Sequence, residues 1–61
     1  SPNSTVYYNL GNAYYQSGDT VKAILNYERA LYLDPFNEDA KFNLNICQNR
    51  AIIILNCGGS A

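Results

Sequence analysis

The stretch from Tyr8 to Pro35 constrains the fold of this chain most strongly. It contains two segments with helical spacing of apolar residues, separated by Gly18, which supplies the left-handed residue that ends a helix. Asp19 or Thr20 then caps the second segment, and Pro35 stops it, because the residue before a proline avoids helical backbone angles. The pattern therefore predicts two antiparallel helices joined by a short turn.

The boundaries of these helices follow from the same signals. Residues 1–4 form a polar lead-in, in which Ser4 is the predicted N-cap because its hydroxyl can accept from a free amide of the first turn. We expect the first helix over residues 5–17, and the second from the glycine turn to about residue 33.

Three small residues predict how closely the two helices pack. Gly11 lies in the middle of the first helix, where glycine costs about 1 kcal/mol relative to alanine, so close approach of a second helix is expected to offset it. Ala23 and Ala30 are two turns apart on one face of the second helix. The larger side chains predicted to pack beside them are Tyr7, Leu10, Tyr14, Ile24, Tyr27 and Leu31.

A third helix is predicted after the proline. Asn37 is a good N-cap, and the acidic Glu38 and Asp39 suit the positive end of a helix that runs to at least about Asn49. Its apolar side chains recur at spacings of four, three and four, which predicts a stripe that covers the second helix. The stripe consists of Ala40, Leu44, Cys47 and Ala51.

Residues 51–55, with the sequence AIIIL, are apolar on every side and are too few to span a membrane, which takes about 20 residues. Three interpretations remain open. The run extends the third helix and is buried against a second copy, it is the end of a longer helix or of a membrane-proximal segment, or it forms a strand or is disordered. Residues 57–61 are interpreted as a flexible tail.

The composition argues against several classes of function. The chain has 61 residues, a net charge of −1 and no histidine. It lacks a basic patch for nucleic acid, paired catalytic carboxylates, a phosphate-binding loop and any metal-ligand spacing, so we predict no enzyme activity, no cofactor and no metal. Cys47 and Cys57 on one helix would be about 15 Å apart, too far for an intramolecular disulfide. A buried Cys47 is expected, while Cys57 is either exposed or available for an intermolecular bridge.

An internal repeat gives the sequence its family resemblance. Tyr8-Asn9-Leu10 and Phe42-Asn43-Leu44 are 34 residues apart, and each follows a polar turn. A helix–turn–helix unit with this period is characteristic of tetratricopeptide repeats. The chain resembles this family over residues 4–37, and more loosely to about residue 50. The matching residues are Tyr7, Leu10, Gly11, Tyr14, Gly18, Asp19, Ala23, Tyr27, Ala30 and Pro35.

The resemblance implies an all-α fold with one complete repeat, over about residues 5–50 once a third, capping helix is included. Lys41, Asn45 and Gln48 replace the aromatic, glycine and tyrosine of a second repeat, which fits a capping helix with a more polar outer face. Thr20 stands where an aromatic is common.

The resemblance also implies a function: first helices of such repeats line a groove that holds a peptide of a partner protein. The corresponding positions on the first helix begin at Thr5, and those on the third helix include Asp39 and Arg50. Their amides can pair with a peptide backbone and their apolar side chains can anchor it, although the rings could instead cover one another. The predicted peptide-binding residues are Tyr8, Asn12, Tyr15, Gln16, Phe42, Ile46 and Asn49.

Two further expectations concern partners and location. Tyr8 and Phe42 occupy positions where chaperone-tail binders carry lysines, so no binding of chaperone tails is expected. As an alternative function, a homodimer, with or without exchange of the third helix, would supply the neighbour that an isolated repeat lacks. The segment also resembles repeats of bacterial aerotolerance-operon proteins, which leaves a cytoplasmic or a membrane-associated parent protein open.

Overall fold

The computed structural model describes residues 3–59, which form three helices. They are α1 (Ser4–Gln16), α2 (Thr20–Leu33) and α3 (Glu38–Gly59), and no strand occurs among these described residues. The helix α2 packs against both α1 and α3, whereas α1 and α3 touch only slightly. The all-α prediction is therefore confirmed, with α1 and α2 as the antiparallel pair and α3 as the third packing helix.

The start of α1 differs from the prediction. The N-cap is Asn3, whose Oδ1 accepts a hydrogen bond from the backbone N–H of Val6 at 3.0 Å. Ser4, predicted as the cap, is instead the first residue of the helix. Its hydroxyl donates to the carbonyl of Ala30 at 2.8 Å and accepts from the Asn37 amide at 2.9 Å. Because Asn3 caps the first turn, the hydroxyl of Ser4 is available to link α1 to α2 at Ala30 and to Asn37, the residue before α3.

The two turns between helices follow the predicted capping chemistry. Gly18 has a φ of 89°, the left-handed conformation that favours glycine. Asp19 caps α2 by accepting from the backbone N–H of Lys22 at 3.1 Å. At the second turn, the Oδ1 of Asn37 accepts from the backbone N–H of Ala40 at 3.1 Å. Both predicted caps are thus confirmed.

Gly11 packs against α2, as expected, through the ring of Tyr27. A Cβ atom at this position would lie 2.5 Å from Cε1 of Tyr27, so the absence of a side chain makes room for an aromatic ring. Ala23 and Ala30 are fully buried, as predicted, on either side of Tyr27 in sequence. The close approach of α2 that was expected at Gly11 is therefore made by the ring of Tyr27, which fills the space between the two helix backbones.

The core is small and dominated by alanines. Tyr27 and Cys47 are the largest fully buried side chains, and the other buried apolar residues are alanines. Tyr7, Tyr14, Ile24 and Leu31 pack around this core, as predicted. Leu10 does not, since it is 41% exposed. It lies one residue, about 100°, from Gly11 around the helix, which places it at the edge of the buried face.

The helix α3 extends beyond Asn49, the minimum extent predicted, and includes the AIIIL run. Its predicted stripe faces inward, with Ala40 and Cys47 buried and Leu44 and Ala51 half-buried. Beyond Ala51 the helix continues to Gly59, so the strand interpretation of the AIIIL run is wrong, as is the flexible tail over residues 57–59. Residues 60 and 61 lie outside the described part. We call residues 52–55 the α3 overhang; their side chains are 54–73% exposed.

Candidate functional site

A pocket of about 270 Å³ opens between α1 and α3, with α2 beneath it. Its wall combines aromatic, aliphatic and amide side chains, and none of the lining residues carries a charge. Such a mixture can hold an apolar group while offering hydrogen bonds to a polar backbone. The lining residues are Asn12, Tyr15, Gln16, Tyr27, Asn43, Ile46 and Cys47.

A hydrogen-bond network crosses the floor of the pocket and involves all three helices. The hydroxyl of Tyr27 on α2 donates to Oδ1 of Asn12 on α1. The Nδ2 of Asn43 on α3 donates to the same oxygen at 3.0 Å and lies 3.5 Å from the hydroxyl of Tyr8. Because both hydrogen bonds end on its carbonyl oxygen, Asn12 is held in one orientation. The side-chain NH2 group of Asn12 remains available to donate a hydrogen bond to a ligand.

Four of the seven predicted binding residues line this pocket. Asn12, Tyr15 and Gln16 contribute from α1, and Ile46 contributes from α3. Tyr15 and Asn12 are half-buried, whereas Gln16 and Ile46 are exposed. The helical spacing in the sequence therefore placed these four side chains around one cavity, although none of them is shown to bind a ligand.

The other three predicted residues lie elsewhere. Tyr8 packs against Tyr27, with ring centroids 6.0 Å apart and planes inclined at 44°. Its ring therefore contacts the core. Phe42 and Asn49 are exposed on α3 and do not line the pocket. Mutual packing of the rings is therefore seen for Tyr8, whereas ligand contact stays a prediction.

Sequence reasoning missed three residues of the pocket wall. Tyr27 and Cys47 were predicted only as core residues, and Asn43 only as part of the repeated Phe-Asn-Leu triplet. Asn43 precedes Ile46 by three residues, so the two share a face of α3. That spacing was visible in the sequence. The pairing of Asn43 with Asn12 was not, because it depends on the distance between two separate helices.

The burial of the pocket floor affects its ionisable groups. Burial raises the pKa of the Tyr27 hydroxyl above its usual value, and burial likewise raises the pKa of the Cys47 thiol. Both groups therefore stay protonated and uncharged at neutral pH. At the pocket rim the guanidinium of Arg50 lies 5.8 Å from the ring centroid of Tyr15, which is within the range of a cation–π interaction.

A second cleft, of about 370 Å³, has more apolar character and lies between α1 and α2. None of the predicted binding residues belongs to it. Arg29 borders the cleft and lies 5.9 Å from the ring centroid of Tyr7. The remaining lining residues are Leu25, Glu28, Tyr32 and Leu33.

The described residues form neither a metal site nor a membrane-spanning helix. Within residues 3–59 there is no cluster of three or more His, Cys, Asp or Glu side chains arranged to hold a metal ion. None of the three helices combines the length and apolar character that crossing a membrane would require.

The comparison with protein families decides what kind of module this is. The tetratricopeptide repeat model matches residues 4–37, which is more than half of the chain and includes α1, α2 and the turn before α3. The chain belongs to the tetratricopeptide repeat family. As one of these repeats it is a protein–protein interaction module, and the family is typically a non-catalytic scaffold. Among curated proteins and solved structures, no match was found. The similarity to aerotolerance-operon proteins therefore stays a prediction.

Proposed function

We propose that this tetratricopeptide module binds a peptide segment of a partner protein in the pocket between α1 and α3. The single observation that carries the proposal is the convergence of Asn12, Tyr15, Gln16 and Ile46 on one uncharged cavity. The tetratricopeptide family supports a protein partner in general. The chemistry of the wall supports the choice of a peptide.

The pocket suits a peptide better than a small molecule. Its volume of about 270 Å³ is below the usual range for small-ligand sites, which begins at about 300 Å³. One apolar side chain of a peptide fits this space against Tyr15 and Ile46. The side-chain NH2 group of Asn12 would donate to a ligand carbonyl, since its own oxygen already accepts from Tyr27 and Asn43.

The chemistry of the wall also narrows the ligand. No basic side chain lines the pocket, and Arg50 at its rim lies over the ring of Tyr15, so a carboxylate inside the pocket would find only amide and hydroxyl partners. We therefore expect an uncharged segment, extended or helical, with one apolar anchor, and not an acidic chaperone tail. One repeat offers a small contact area, which favours weak, micromolar binding.

A selection experiment followed by mapping tests this proposal. Random peptides displayed on phage are selected against the 61-residue chain, and the best synthetic peptide is titrated while amide chemical shifts are recorded. We expect selected peptides to share an apolar residue, and shifts to concentrate at Asn12, Tyr15, Gln16 and Ile46. Failure to select any peptide, or shifts centred on the cleft beside Tyr32, would contradict the proposal.

A matched pair of variants sharpens the test. Ile46→Lys places a charge in the pocket wall and is expected to weaken peptide binding by about tenfold or more. Ile54→Lys introduces the same change on the same helix, outside the pocket, and is expected to bind normally. Equal loss in both variants would show that the effect comes from α3 in general.

A further inference from the structure

An exposed stripe runs along the outward face of α3 and takes no part in the core, and Ile46 is its one member that also lines the pocket. Phe42, Ile46, Asn49 and Ile53 recur at spacings of four, three and four. Phe42 is 67% exposed, Ile46 is 40% exposed and Ile53 is 62% exposed. Three large apolar side chains therefore lie in one row on the surface of a single helix. We call this row the outward stripe.

The outward stripe is separate from the stripe that packs on α2. At about 100° per residue, Phe42, Ile46, Asn49 and Ile53 lie within roughly 60° of one another. Ala40, Leu44, Cys47 and Ala51 are centred on nearly the opposite side of the helix, and these are the residues buried or half-buried by α2. The chain's own fold therefore leaves the outward stripe without a cover.

The spacing of the outward stripe is that of a two-helix seam. Alternation of four and three is the heptad pattern, in which apolar residues of one helix fit between those of another. A single asparagine within such a seam selects one register and one number of strands. Asn49 has this position among the apolar residues.

A second copy of the chain is the occupant that the stripe fits. In an antiparallel pair of α3 helices related by a two-fold axis, Phe42 faces Ile53 of the other copy, and Ile46 faces Asn49. Every residue of the stripe then has a partner from the same stripe, as a two-fold interface requires. No charged side chain belongs to the stripe, so the two copies meet there without like charges opposed.

The available area agrees with a weak dimer. A stable interface buries about 800 Å² per partner, which is nearly a fifth of the 4343 Å² that this chain exposes. Each partly exposed apolar residue of the stripe offers on the order of 100 Å². The three apolar residues thus supply about 600 Å² over two copies, and a specific interface of about 1,000 Å² needs the remainder from exposed side chains that flank the stripe.

From these observations we infer that the outward stripe of α3 is the interface of a two-fold homodimer with antiparallel α3 helices. The inference does not depend on peptide binding, since it uses no ligand. It assigns Phe42 and Asn49, which stand outside the pocket, to contact with a second copy. It also gives Ile53 of the α3 overhang a partner.

Sedimentation equilibrium of the 61-residue chain tests this interface. From micromolar to submillimolar concentration, the mean mass is expected to rise from 6.8 kDa toward twice that value. Ile53→Lys is expected to raise the dissociation constant by about tenfold or more. Leu55→Lys, at a 73% exposed position across the helix from Ile53, is expected to leave it unchanged. A wild-type chain that stays monomeric, or equal effects of the two variants, would overturn the inference.

A variant that strengthens the dimer provides a further test, because unfolding of the variant could not explain tighter association. Asn49→Leu replaces the polar residue of the seam with an apolar one, and is expected to lower the dissociation constant by about tenfold or more. Far-UV circular dichroism checks that the helix content of each variant is unchanged. An unaltered dissociation constant in Asn49→Leu would show that Asn49 is not within the interface.

Paired charges test the antiparallel direction. Phe42→Glu and Ile53→Lys are each expected to weaken association by about tenfold or more, and the double variant is expected to restore it, because opposite charges then face each other across the seam. In a parallel pair the double variant would oppose like charges at both positions. A double variant that remains monomeric would therefore overturn the antiparallel arrangement.

Discussion

The backbone of Gly11 lies directly against the ring of Tyr27. A methyl group at Gly11 would sit 2.5 Å from Cε1 and 2.6 Å from Cδ1 of that ring, closer than carbon atoms can approach without displacement. The hydroxyl of the same tyrosine donates to Asn12 and so fixes the far end of the ring. Since both its edge and its end are held, the tyrosine sets the spacing between α1 and α2.

The first prediction concerns Gly11→Ala. In an unconstrained helix this change would stabilise by about 1 kcal/mol. Here we expect a net loss of about 1–3 kcal/mol, because the ring is almost fully buried and its hydroxyl is bonded to Asn12, so that it cannot shift without losing packing and a hydrogen bond. Urea unfolding followed by circular dichroism measures the difference.

The control for this prediction is Asn9→Ala, at an exposed position of the same helix. It changes helix propensity without adding a contact, and is expected to shift stability by less than about 0.5 kcal/mol or to raise it slightly. Gly11→Ala with stability equal to or above that of the wild type would mean that the ring does not restrict this position.

The second prediction separates backbone strain from lack of space. Gly18 has a φ of 89°, and a Cβ atom there would meet nothing within 4 Å. Gly18→Val is therefore expected to cost about 1–3 kcal/mol through conformation alone. Gly18→Asn should cost less, because asparagine tolerates left-handed angles. The order of the two melting temperatures checks this, and equal losses would exclude strain as the cause.

The third prediction concerns the link between helix ends at Ser4. Ser4→Ala removes the hydrogen bond to the carbonyl of Ala30 and leaves the amide of Asn37 without its acceptor. We expect a loss of about 1–2 kcal/mol, typical of a part-buried group that loses its partner. Ser17→Ala removes an exposed local hydrogen bond to Tyr14 and should cost about 0.5 kcal/mol or less. Similar losses in both would mean that Ser4 acts only locally.

The fourth prediction is a loss of stability at alkaline pH. The pKa values of Tyr27 and Cys47 are raised by burial above their ordinary values of 10.0 and 9.0. The unfolded chain therefore releases these protons at lower pH than the folded chain does. The stability that these two protonated groups contribute is fully present below about pH 9. It is lost as the pH rises through the pKa values that the groups have in the folded chain.

Urea unfolding between about pH 8 and about pH 11 tests this direction. In Tyr27→Phe the free energy of unfolding should decline less steeply with pH than it does in the wild type. Tyr32→Phe, at an exposed position, should keep the wild-type slope. Stability that is constant over this range, or identical slopes in all three proteins, would contradict the predicted effect.

Much of the fold follows from local sequence signals. Gly18, Asp19 and Asn37 are correctly placed because capping and turn chemistry involve residues only two to four positions apart. Ser4 was misassigned for the opposite reason. Asn3 and Ser4 are both good caps, and only the position of Ala30 on another helix decides between them.

The candidate site was less accessible to sequence reasoning. The family resemblance pointed to Asn12, Tyr15 and Ile46 as groove positions, and helical spacing is consistent with it because residues on one helix face recur at fixed intervals. It could not show that Tyr8 would turn toward Tyr27, nor that Asn43 would reach Asn12. Those contacts depend on how deeply the side chains of two helices interdigitate. The shapes of the side chains set that depth, and the spacing of residues along the sequence does not show it.

Spatial order in this chain follows sequence order, with α2 packed between α1 and α3. The hydrogen bond from Asn43 to Tyr8 joins residues only 35 positions apart, and that from Asn37 to Ser4 joins residues 33 apart. Closing a segment of this length costs little entropy compared with closing a longer one. Helical proteins whose contacts are mostly local fold within microseconds to milliseconds. Relaxation after a temperature jump should therefore be fast, with no slow phase from distant strand pairing.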